Sequence, residues 1–300
     1  MSWPALRLLS VALVCGALAA CQTAPPVPST PPASEPAIAP VPKLPRIGLA
    51  LGGGAARGFA HIGVIQVLEE HGIRVDLVVG TSAGSLVAAL YASGKNGPAL
   101  GHLAEAMDEA TITDWSFPGR GLIRGDALAR YVRDATGGRL IEKMPLPLGI
   151  VATDLDSGRG ILFQVGDPGL AVRASSAVPA VFQPVRIGTR EYVDGGLVSP
   201  VPVRYARQMG AELIIAVDIS AAPEGNPTGD PMRMLLQTFA IMGRSINNFE
   251  LREADIVLRP KLPGVGSADF TARKRSIQAG RDAALAAIPD LKARIAAKTR

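Results

Sequence analysis

Short apolar runs alternate with helix-like segments from residue 46 to the end of the chain. The apolar runs span residues 46–51, 75–79, 148–153, 160–165, 191–193, 212–218 and 255–259. Helical patterns cover residues 56–71, 85–92, 98–110, 126–135, 202–209, 231–253 and 271–297. Strands that are separated by helices form a mostly parallel sheet with helices on both faces. We therefore predict one three-layer α/β domain over residues 46–300.

Residues 1–20 are predicted to be a signal peptide. Arg7 supplies a positive start, and the thirteen residues of Leu8–Ala20 are apolar except for Ser10. A helix needs about 20 residues to cross a bilayer, so this segment is too short to span one. It ends in Leu18-Ala-Ala-Cys21, which resembles a bacterial lipobox, whose cysteine is lipidated and becomes the mature N-terminus. The alternative is an ordinary secretory signal with an incidental cysteine.

Residues 21–45 are predicted to be the lipidated Cys21 followed by a proline-rich tether. Nine prolines lie between Gln22 and Pro45. Proline fixes φ and has no N–H donor, so this stretch builds no core and forms an extended spacer. The residue after the cysteine is Gln22 and not aspartate, and in this respect the sequence resembles lipoproteins of the outer membrane. We therefore expect a bacterial cell-envelope protein that is lipid-anchored at the outer membrane and faces the periplasm.

The composition argues against several functional classes. Aromatic residues make up only 4% of the chain, too few for a surface that stacks nucleic-acid bases. Cys15 and Cys21 are the only cysteines, so the domain offers no thiol nucleophile and no cysteine metal ligand. The net charge of +5 arises from residues 256–300, which carry ten Lys or Arg and three Asp or Glu. This stretch either approaches anionic lipid or forms a solvated helix face.

Gly80-Thr-Ser82-Ala-Gly84 lies between an apolar run and a helix of small residues. A Gly-x-Ser-x-Gly sequence in this position is typical of the turn that exposes a nucleophilic serine. The N-terminus of the following helix offers unpaired N–H groups to developing negative charge. The pattern favours Ser82 as a nucleophile, and the alternative is a small-residue turn that only caps the helix.

The histidines argue against a Ser-His-Asp triad. In α/β-hydrolases the triad runs serine, acid, histidine along the chain. Only His102 follows Ser82, and it lies in a helical segment. His61 and His71 lie in the first helical pattern, where we expect packing or surface roles. A nucleophilic Ser82 therefore needs a base other than histidine.

Asp194 is a candidate for that base. It ends an apolar run and precedes Gly195 and Gly196, which let the backbone turn sharply and leave the carboxylate open to a hydroxyl. An unperturbed aspartate, with a pKa of about 3.9, is a poor base, but an apolar pocket raises that pKa. The alternative is an ordinary Asp-Gly turn between strands.

Residues 52–58, Gly-Gly-Gly-Ala-Ala-Arg-Gly, connect the first apolar run to the first helix. Glycine loops in this position present backbone N–H groups to a phosphate or an oxyanion. Neither Gly52 nor Gly53 begins a G-x-G-x-x-G pattern, and no Gly-Lys-Ser/Thr sequence follows. An oxyanion hole therefore fits the loop better than a dinucleotide site or a P-loop.

The glycine loop, Gly-x-Ser-x-Gly and Asp-Gly-Gly, in this order, resemble the bacterial patatin-like phospholipases. Residues 58–63, 151–154, 175–179 and 192–196 are also similar to blocks of that family, so the resemblance covers most of residues 46–300. The family uses a Ser–Asp dyad without histidine, which agrees with the histidine shortage. The resemblance implies a patatin-like fold, with Ser82 as nucleophile and Asp194 as base.

The resemblance also implies roles for the glycine loop. Backbone N–H groups around Gly53 and Gly54 would form the oxyanion hole. Arg57 lies at the basic position of the family, where it would steady the loop or attract an anionic head group. Ala55 departs from the family, which usually has glycine there, and is tolerated if its φ is negative.

The implied activity is that of a serine lipid acyl hydrolase, similar to phospholipase A or lysophospholipase, which forms an acyl-enzyme without a cofactor or a metal. The implied partner is membrane phospholipid or lysophospholipid, and no nucleic acid. Two alternatives stay open. One is a carboxylesterase or thioesterase for soluble acyl groups, and the other is a non-catalytic envelope lipoprotein. The oligomeric state is not indicated by the sequence.

Overall fold

A computed structural model describes residues 42–115, 119–226, 228–266 and 268–300. The predicted signal peptide, Cys21 and most of the proline-rich tether lie outside the described residues. Residues Pro42–Arg300 form one compact unit. The buried apolar clusters of the described chain all belong to this unit, which therefore carries a core of its own.

The described part of the chain contains a central sheet of eight strands and a second sheet of two. The strands are β1 (Ile47–Leu51), β2 (Leu77–Thr81), β3 (Gly121–Ile123), β4 (Leu148–Asp154), β5 (Gly160–Phe163), β6 (Ala180–Phe182), β7 (Val185–Ile187), β8 (Arg190–Asp194), β9 (Leu213–Val217) and β10 (Ile256–Leu258). The central order is β10-β9-β1-β2-β4-β8-β7, with β5 also paired to β4, while β3 pairs with β6.

Neighbouring strands from β10 to β4 are parallel. The pairs β4–β5, β4–β8 and β7–β8 are antiparallel. Because β1 and β2 are parallel, the loops that follow them leave from the same edge of the sheet. The glycine loop and Ser82 follow these two strands and therefore lie side by side.

The described helices are α1 (Phe59–Glu70), α2 (Ala83–Ala92), α3 (Gly97–Ala106), α4 (Glu109–Ile112), α5 (Asp126–Ala135), α6 (Pro168–Ser175), α7 (Val203–Gln208), α8 (Pro231–Glu250) and α9 (Arg273–Lys298). Short 3₁₀ turns occupy Ala55–Gly58, Ile141–Lys143, Gly195–Leu197, Leu251–Glu253 and Phe270–Ala272. Among the helices of the described chain, none is both long enough and apolar enough to cross a bilayer.

Successive residues of the parallel strands point into two different apolar layers, as the period of two along a strand requires. Leu49 and Val78 pack on one face with side chains of α1, α2, α3, α5 and α9. Ala50 and Val79 pack on the other face with side chains of α7. Helices therefore cover both faces of a mostly parallel sheet, and the predicted fold class is confirmed.

Several element boundaries differ from the prediction. The second strand runs to Thr81 instead of ending at residue 79, because Gly80 and Thr81 continue the ladder to β4. The helix predicted over residues 98–110 is two helices, because Asp108 caps α4 through a 3.1 Å bond from the Ala110 N–H. The strands β3, β6 and β7, three residues each, were not predicted, since three residues are too few to show an alternating pattern.

Candidate active site

Ser82 lies at a sharp turn between β2 and α2. Its φ of 52° is in the left-handed region, which a non-glycine residue adopts at a cost of about 1–3 kcal/mol. Its side chain is half-buried and lines a cavity. The surrounding structure therefore holds Ser82 in a strained conformation of the kind found at functional sites.

The two glycines of the Gly-x-Ser-x-Gly sequence allow this turn to pack closely. A Cβ atom at position 80 would lie 2.4 Å from the carbonyl oxygen of Gly84. A Cβ atom at position 84 would lie 2.1 Å from the carbonyl oxygen of Leu51. Both contacts are with backbone, which cannot move aside as a side chain can. The start of α2 therefore lies directly against the end of β1.

The variant Gly84→Ala is expected to lose about 3 kcal/mol or more of unfolding free energy, because its methyl group would overlap the β1 backbone. A loss of this size lowers the midpoint of thermal unfolding by about 10 °C. The matched control is Gly229→Ala, since a Cβ there meets no atom within 4 Å. Equal midpoints for the two variants would contradict this account of the turn.

Ser175 supports the turn and was not given a role by the sequence. The Ser82 N–H donates to Ser175 Oγ at 2.8 Å, and Ser175 Oγ donates to the Val151 carbonyl at 2.5 Å. Ser175 therefore connects the backbone of Ser82 to β4. The sequence indicated this region only because residues 175–179 are similar to a block of the family, and it did not indicate the contact with Ser82.

Asp194 ends β8, two strands from β2 in the sheet. Its Oδ1 accepts a 2.7 Å hydrogen bond from the Gly196 N–H, and its carbonyl accepts one of 2.8 Å from Thr153 Oγ1. The other carboxylate oxygen, Oδ2, is buried and has no regular hydrogen bond to a described residue. A buried acceptor without a partner is costly, so Asp194 carries an unused capacity to accept a proton.

Burial raises the pKa of Asp194 to about 6, because an apolar environment penalises the carboxylate. The Gly196 N–H and the Ser82 hydroxyl act in the opposite direction. The Ser82 hydroxyl is therefore close enough to favour the carboxylate, although the contact falls short of a regular hydrogen bond. Such catalytic contacts are often long in an empty site and tighten when substrate binds.

The glycine loop lies beside Ser82. A Cβ atom at Gly53 would lie 3.1 Å from the Cβ of Ser82. The Gly53 N–H donates to the Pro200 carbonyl at 2.9 Å, so it is not available in the way the sequence predicted. The N–H groups of Gly54 and Ala55 have no acceptor among the described residues. The candidate oxyanion donors are therefore the N–H groups of Gly54 and Ala55, instead of those of Gly53 and Gly54.

Ala55 and Arg57 shape the loop. Ala55 has a φ of 51°, so it takes the left-handed conformation, contrary to the negative φ under which we expected alanine to be tolerated. Arg57 Nε donates to the Ile219 carbonyl at 2.9 Å. Burial lowers the pKa of Arg57, while Asp218 acts in the opposite direction. Of the two roles considered for Arg57, its contacts favour steadying the loop.

His61 also holds the glycine loop. Its Nε2 donates to the Gly52 carbonyl at 2.8 Å, and burial lowers its pKa to about 4. His61 is therefore neutral near pH 7. His71 lies at the C-terminal end of α1 with its Nδ1 2.9 Å from the Val67 carbonyl, and His102 is exposed on α3. These positions agree with the packing and surface roles expected for the histidines.

A cavity of about 1340 Å³ opens above Ser82 and Asp194. Much of its lining is apolar and comes from α2, α3, α5 and α8, for example Leu86, Leu103, Leu128 and Phe239. Within the described residues, no group of three or more His, Cys, Asp or Glu is placed to hold a metal ion. The fold and site together define an α/β protein in which a strained serine and a buried aspartate face one apolar cavity.

The family profile described as patatin-like phospholipase matches residues 49–207, just over half of the chain. The chain belongs to the patatin-like phospholipase family. This match confirms the family resemblance identified in the sequence, and it covers the glycine loop, Ser82 and Asp194.

Three relatives and one solved structure illustrate the similarity. An uncharacterized NTE family protein of Mycobacterium tuberculosis is 39% identical over 184 residues, covering 60% of this chain and 51% of that protein. Another from the same organism is 30% identical over 275 residues, covering 82% and 47%. Patatin-like phospholipase domain-containing protein 6 of Mus musculus is 33% identical over 186 residues, covering 59% and 14%. The chain thus spans about half the length of the mycobacterial relatives.

The crystal structure of VipD from Legionella pneumophila superposes with a TM-score of 0.56 at 16% identity, covering 83% of this chain and 67% of that one. At this identity the similarity supports the fold alone.

Proposed function

We propose that this protein is a serine acyl hydrolase that cleaves lipid esters through Ser82 and Asp194. One observation carries the proposal. A strained serine and a buried aspartate with an unpartnered oxygen line the same large apolar cavity. The strained backbone of Ser82 and the buried carboxylate of Asp194 both destabilise the fold. Their presence at one cavity therefore supports a catalytic role for both residues.

The acylation step uses Asp194 as the base. Asp194 accepts the hydroxyl proton while Ser82 Oγ forms a bond to the ester carbonyl carbon. The N–H groups of Gly54 and Ala55, together with the N-terminus of α2, would stabilise the oxyanion. When the carbonyl reforms, the ester C–O bond breaks, and the leaving alcohol takes the proton from Asp194. The product of this step is an acyl group bound to Ser82.

Water then completes the reaction. Asp194 accepts a proton from the water while the water oxygen attacks the acyl carbon. The bond to Ser82 Oγ breaks, and the serine oxygen recovers a proton from Asp194. The released products are a carboxylic acid and the free enzyme, and Asp194 returns to its carboxylate form.

A lipid substrate is favoured over a soluble ester because of the size and character of the cavity. Small-molecule sites usually occupy about 300–1,000 Å³, and the cavity here is larger and mostly apolar. The test compares hydrolysis of esters from two to sixteen carbons by the unit Pro42–Arg300, with Ser82→Ala as the blank. A preference for long chains supports a lipid substrate, whereas activity on short esters alone would favour the soluble esterase or thioesterase.

The non-catalytic alternative is tested separately, with a fluorophosphonate probe that reacts with activated serines. We expect the probe to label Ser82. A folded protein that neither labels nor hydrolyses any ester would instead be a binding module.

The site is proposed to work at a membrane to which Cys21 attaches the chain. The lipobox-like sequence and the proline-rich tether support this proposal. In a bacterial host that is fed a labelled fatty acid, the parent should carry the label and Cys21→Ser should not, because the lipid cannot attach without the thiol. Equal labelling of the two proteins would contradict attachment through Cys21.

The pH dependence of kcat/KM should report the ionisation of Asp194. Protonated Asp194 cannot accept the serine proton, so kcat/KM is expected to fall by about tenfold per pH unit below about pH 6. The double variant His71→Gln/His102→Gln should keep this acidic limb, since both histidines lie away from the cavity. A profile that stays flat down to pH 4.5 would exclude Asp194 as the base.

A further inference from the structure

Helix α8 is poorly buried for its length. Of its 20 residues, only Asn247 and Glu250, in the last turn, are buried. One side of the helix lines the cavity above Ser82 through Leu236, Phe239 and Gly243. The helix therefore forms part of the cavity wall and separates it from the outside.

The outer face of α8 is also apolar. Positions 234, 238, 241, 242, 245 and 249 follow helical spacing and hold Met, Thr, Ile, Met, Ser and Phe, none of which is charged. Four of them are large apolar side chains with high exposure: Met234 (52%), Ile241 (53%), Met242 (47%) and Phe249 (68%). Met242 lies at the edge of this face and also lines the cavity, whereas the other three do not. A helix of a folded monomer normally turns polar residues to solvent, so this face is expected to have a partner.

We propose that the outer face of α8 inserts into a lipid surface and so places the cavity of the enzyme at the membrane. The proposal rests on the lipid hydrolase function for its biological purpose, but lipid binding itself is independent of catalysis. A helix with apolar side chains on one face and flanking arginines lies in the plane of a bilayer interface.

The basic side chain that best fits anionic lipid is Arg252. Arg233 and Arg244 also lie on α8 and are more than half exposed, but they line the cavity and form ion pairs with Asp230 and Glu224. Arg252 follows directly after the helix, with its guanidinium 5.3 Å from the ring centre of Phe249. Long basic side chains beside buried apolar ones can reach lipid head groups.

The size of the face favours lipid over a second copy of the chain. The exposed parts of its four large apolar side chains amount to a few hundred Å² at most, on the order of a functional surface patch. A stable protein interface buries about 800 Å² on each partner. One narrow helical stripe therefore falls short of a dimer interface but is sufficient for shallow insertion in a bilayer.

Hydrogen bonds connect the C-terminal end of α8 to the segments that hold Ser82 and the glycine loop. Glu250 Oε1 accepts a 2.6 Å hydrogen bond from Ser199 Oγ. The carbonyl of Ser199 accepts one of 2.9 Å from Thr81 Oγ1, next to Ser82, and the Pro200 carbonyl holds Gly53. The last turn of α8 is thus fixed through Glu250 beside Ser82 and the glycine loop, while Phe249 in the same turn belongs to the exposed apolar stripe.

The test measures partitioning of the unit Pro42–Arg300 onto vesicles of phosphatidylcholine and phosphatidylglycerol. The variant Ile241→Ser/Phe249→Ser removes two outer side chains that do not line the cavity. Both the parent and the variant carry Ser82→Ala, so that hydrolysis does not alter the vesicles. We expect at least about tenfold weaker partitioning of the double variant. The control is Val165→Ser, an apolar residue between β5 and α6 that is 67% exposed, which should bind like the parent.

Three further results decide the proposal. Equal partitioning of parent and double variant would overturn it, provided that their thermal midpoints agree and both are folded. A concentration-dependent dimer that only the parent forms would also overturn it and assign the face to a second copy. Vesicle binding that depends on Ile241 and Phe249 in a protein that hydrolyses no ester would support the lipid contact while contradicting the proposed function.

Discussion

Replacement of Ser82 by alanine is expected to reduce kcat for ester hydrolysis by about 10⁴-fold or more, because the neighbouring hydroxyls of Thr81 and Ser85 donate to backbone carbonyls and cannot replace it. The backbone should be unaffected. The Ser82 N–H still donates to Ser175, and alanine keeps the same strained φ. The rate of release of a chromogenic acyl ester, followed beside circular dichroism, measures both properties.

The matched control is Ser93→Ala at the other end of α2. Ser93 Oγ donates to the Leu90 carbonyl at 2.7 Å, so this variant removes a helix-capping hydroxyl far from the chemistry. We expect its kcat to stay within about twofold of the parent, since it leaves the reacting groups in place. Similar losses in Ser82→Ala and Ser93→Ala would mean that Ser82 contributes only to the helix.

The variant Asp194→Asn is expected to reduce kcat by about 10³-fold or more, since an amide cannot accept the serine proton. The amide oxygen can still accept the Gly196 N–H, so the strand end should keep its geometry. Single-turnover hydrolysis and fluorophosphonate labelling should decline together. A variant with near-normal rates would rule out Asp194 as the base.

The same variant should unfold at a higher temperature at neutral pH. The folded-state pKa of Asp194 is about 6, above the unfolded value of 3.8, so ionisation costs stability as pH rises through 6. A difference of this size corresponds to about 3 kcal/mol. The gain from Asp194→Asn should therefore be present at pH 7.5 and absent near pH 4.

Replacement of Asp154, at the end of β4, is expected to change stability in the opposite direction from replacement of Asp194. Hydrogen bonds from the Ser157 N–H and from Arg190 lower the pKa of Asp154 to about 2, so its carboxylate stabilises the folded state above the unfolded pKa. Asp154→Asn is expected to lower the thermal midpoint at neutral pH, with the difference shrinking as pH falls toward 2. Opposite changes in the thermal midpoint for Asp194→Asn and Asp154→Asn would distinguish a carboxylate whose ionisation destabilises the fold from one whose ionisation stabilises it.

The two residues proposed to react, Ser82 and Asp194, could be identified from the sequence because each lies in a short pattern that is typical of its proposed role. Gly80 and Gly84 bracket Ser82 since any larger residue would overlap neighbouring backbone. Gly195 and Gly196 follow Asp194 because the backbone turns there. The shortage of histidine then argued for a different base, and the resemblance to the patatin-like family implied Asp194. In each case, the requirement lies within a few residues along the chain.

The partners of the glycine loop were not accessible in this way. Whether the Gly53 N–H is free depends on Pro200, which is far away in sequence and reaches the loop only through the fold. The role of Ser175 likewise depends on the packing of α6 against β4. The left-handed φ of Ala55 shows the same limit, since alanine by itself favours a negative φ.

Helix α8 shows a different limit. Its helical pattern was predicted over residues 231–253, and the structure has it at Pro231–Glu250. Apolar residues occur on both of its faces, so the sequence could not indicate which face contacts the protein. Only the fold separates the face with Phe239, toward the cavity, from the face with Ile241 and Phe249.

The most direct test of the central claim is to trap the acyl-enzyme. The unit Pro42–Arg300 would be mixed with phospholipid vesicles, quenched with acid within the first turnover and analysed by peptide mass spectrometry. The account predicts a fatty-acyl adduct on the peptide that contains Ser82, and no adduct in Ser82→Ala or Asp194→Asn. An adduct on another residue, or fatty-acid release that persists in Ser82→Ala, would contradict the proposed dyad.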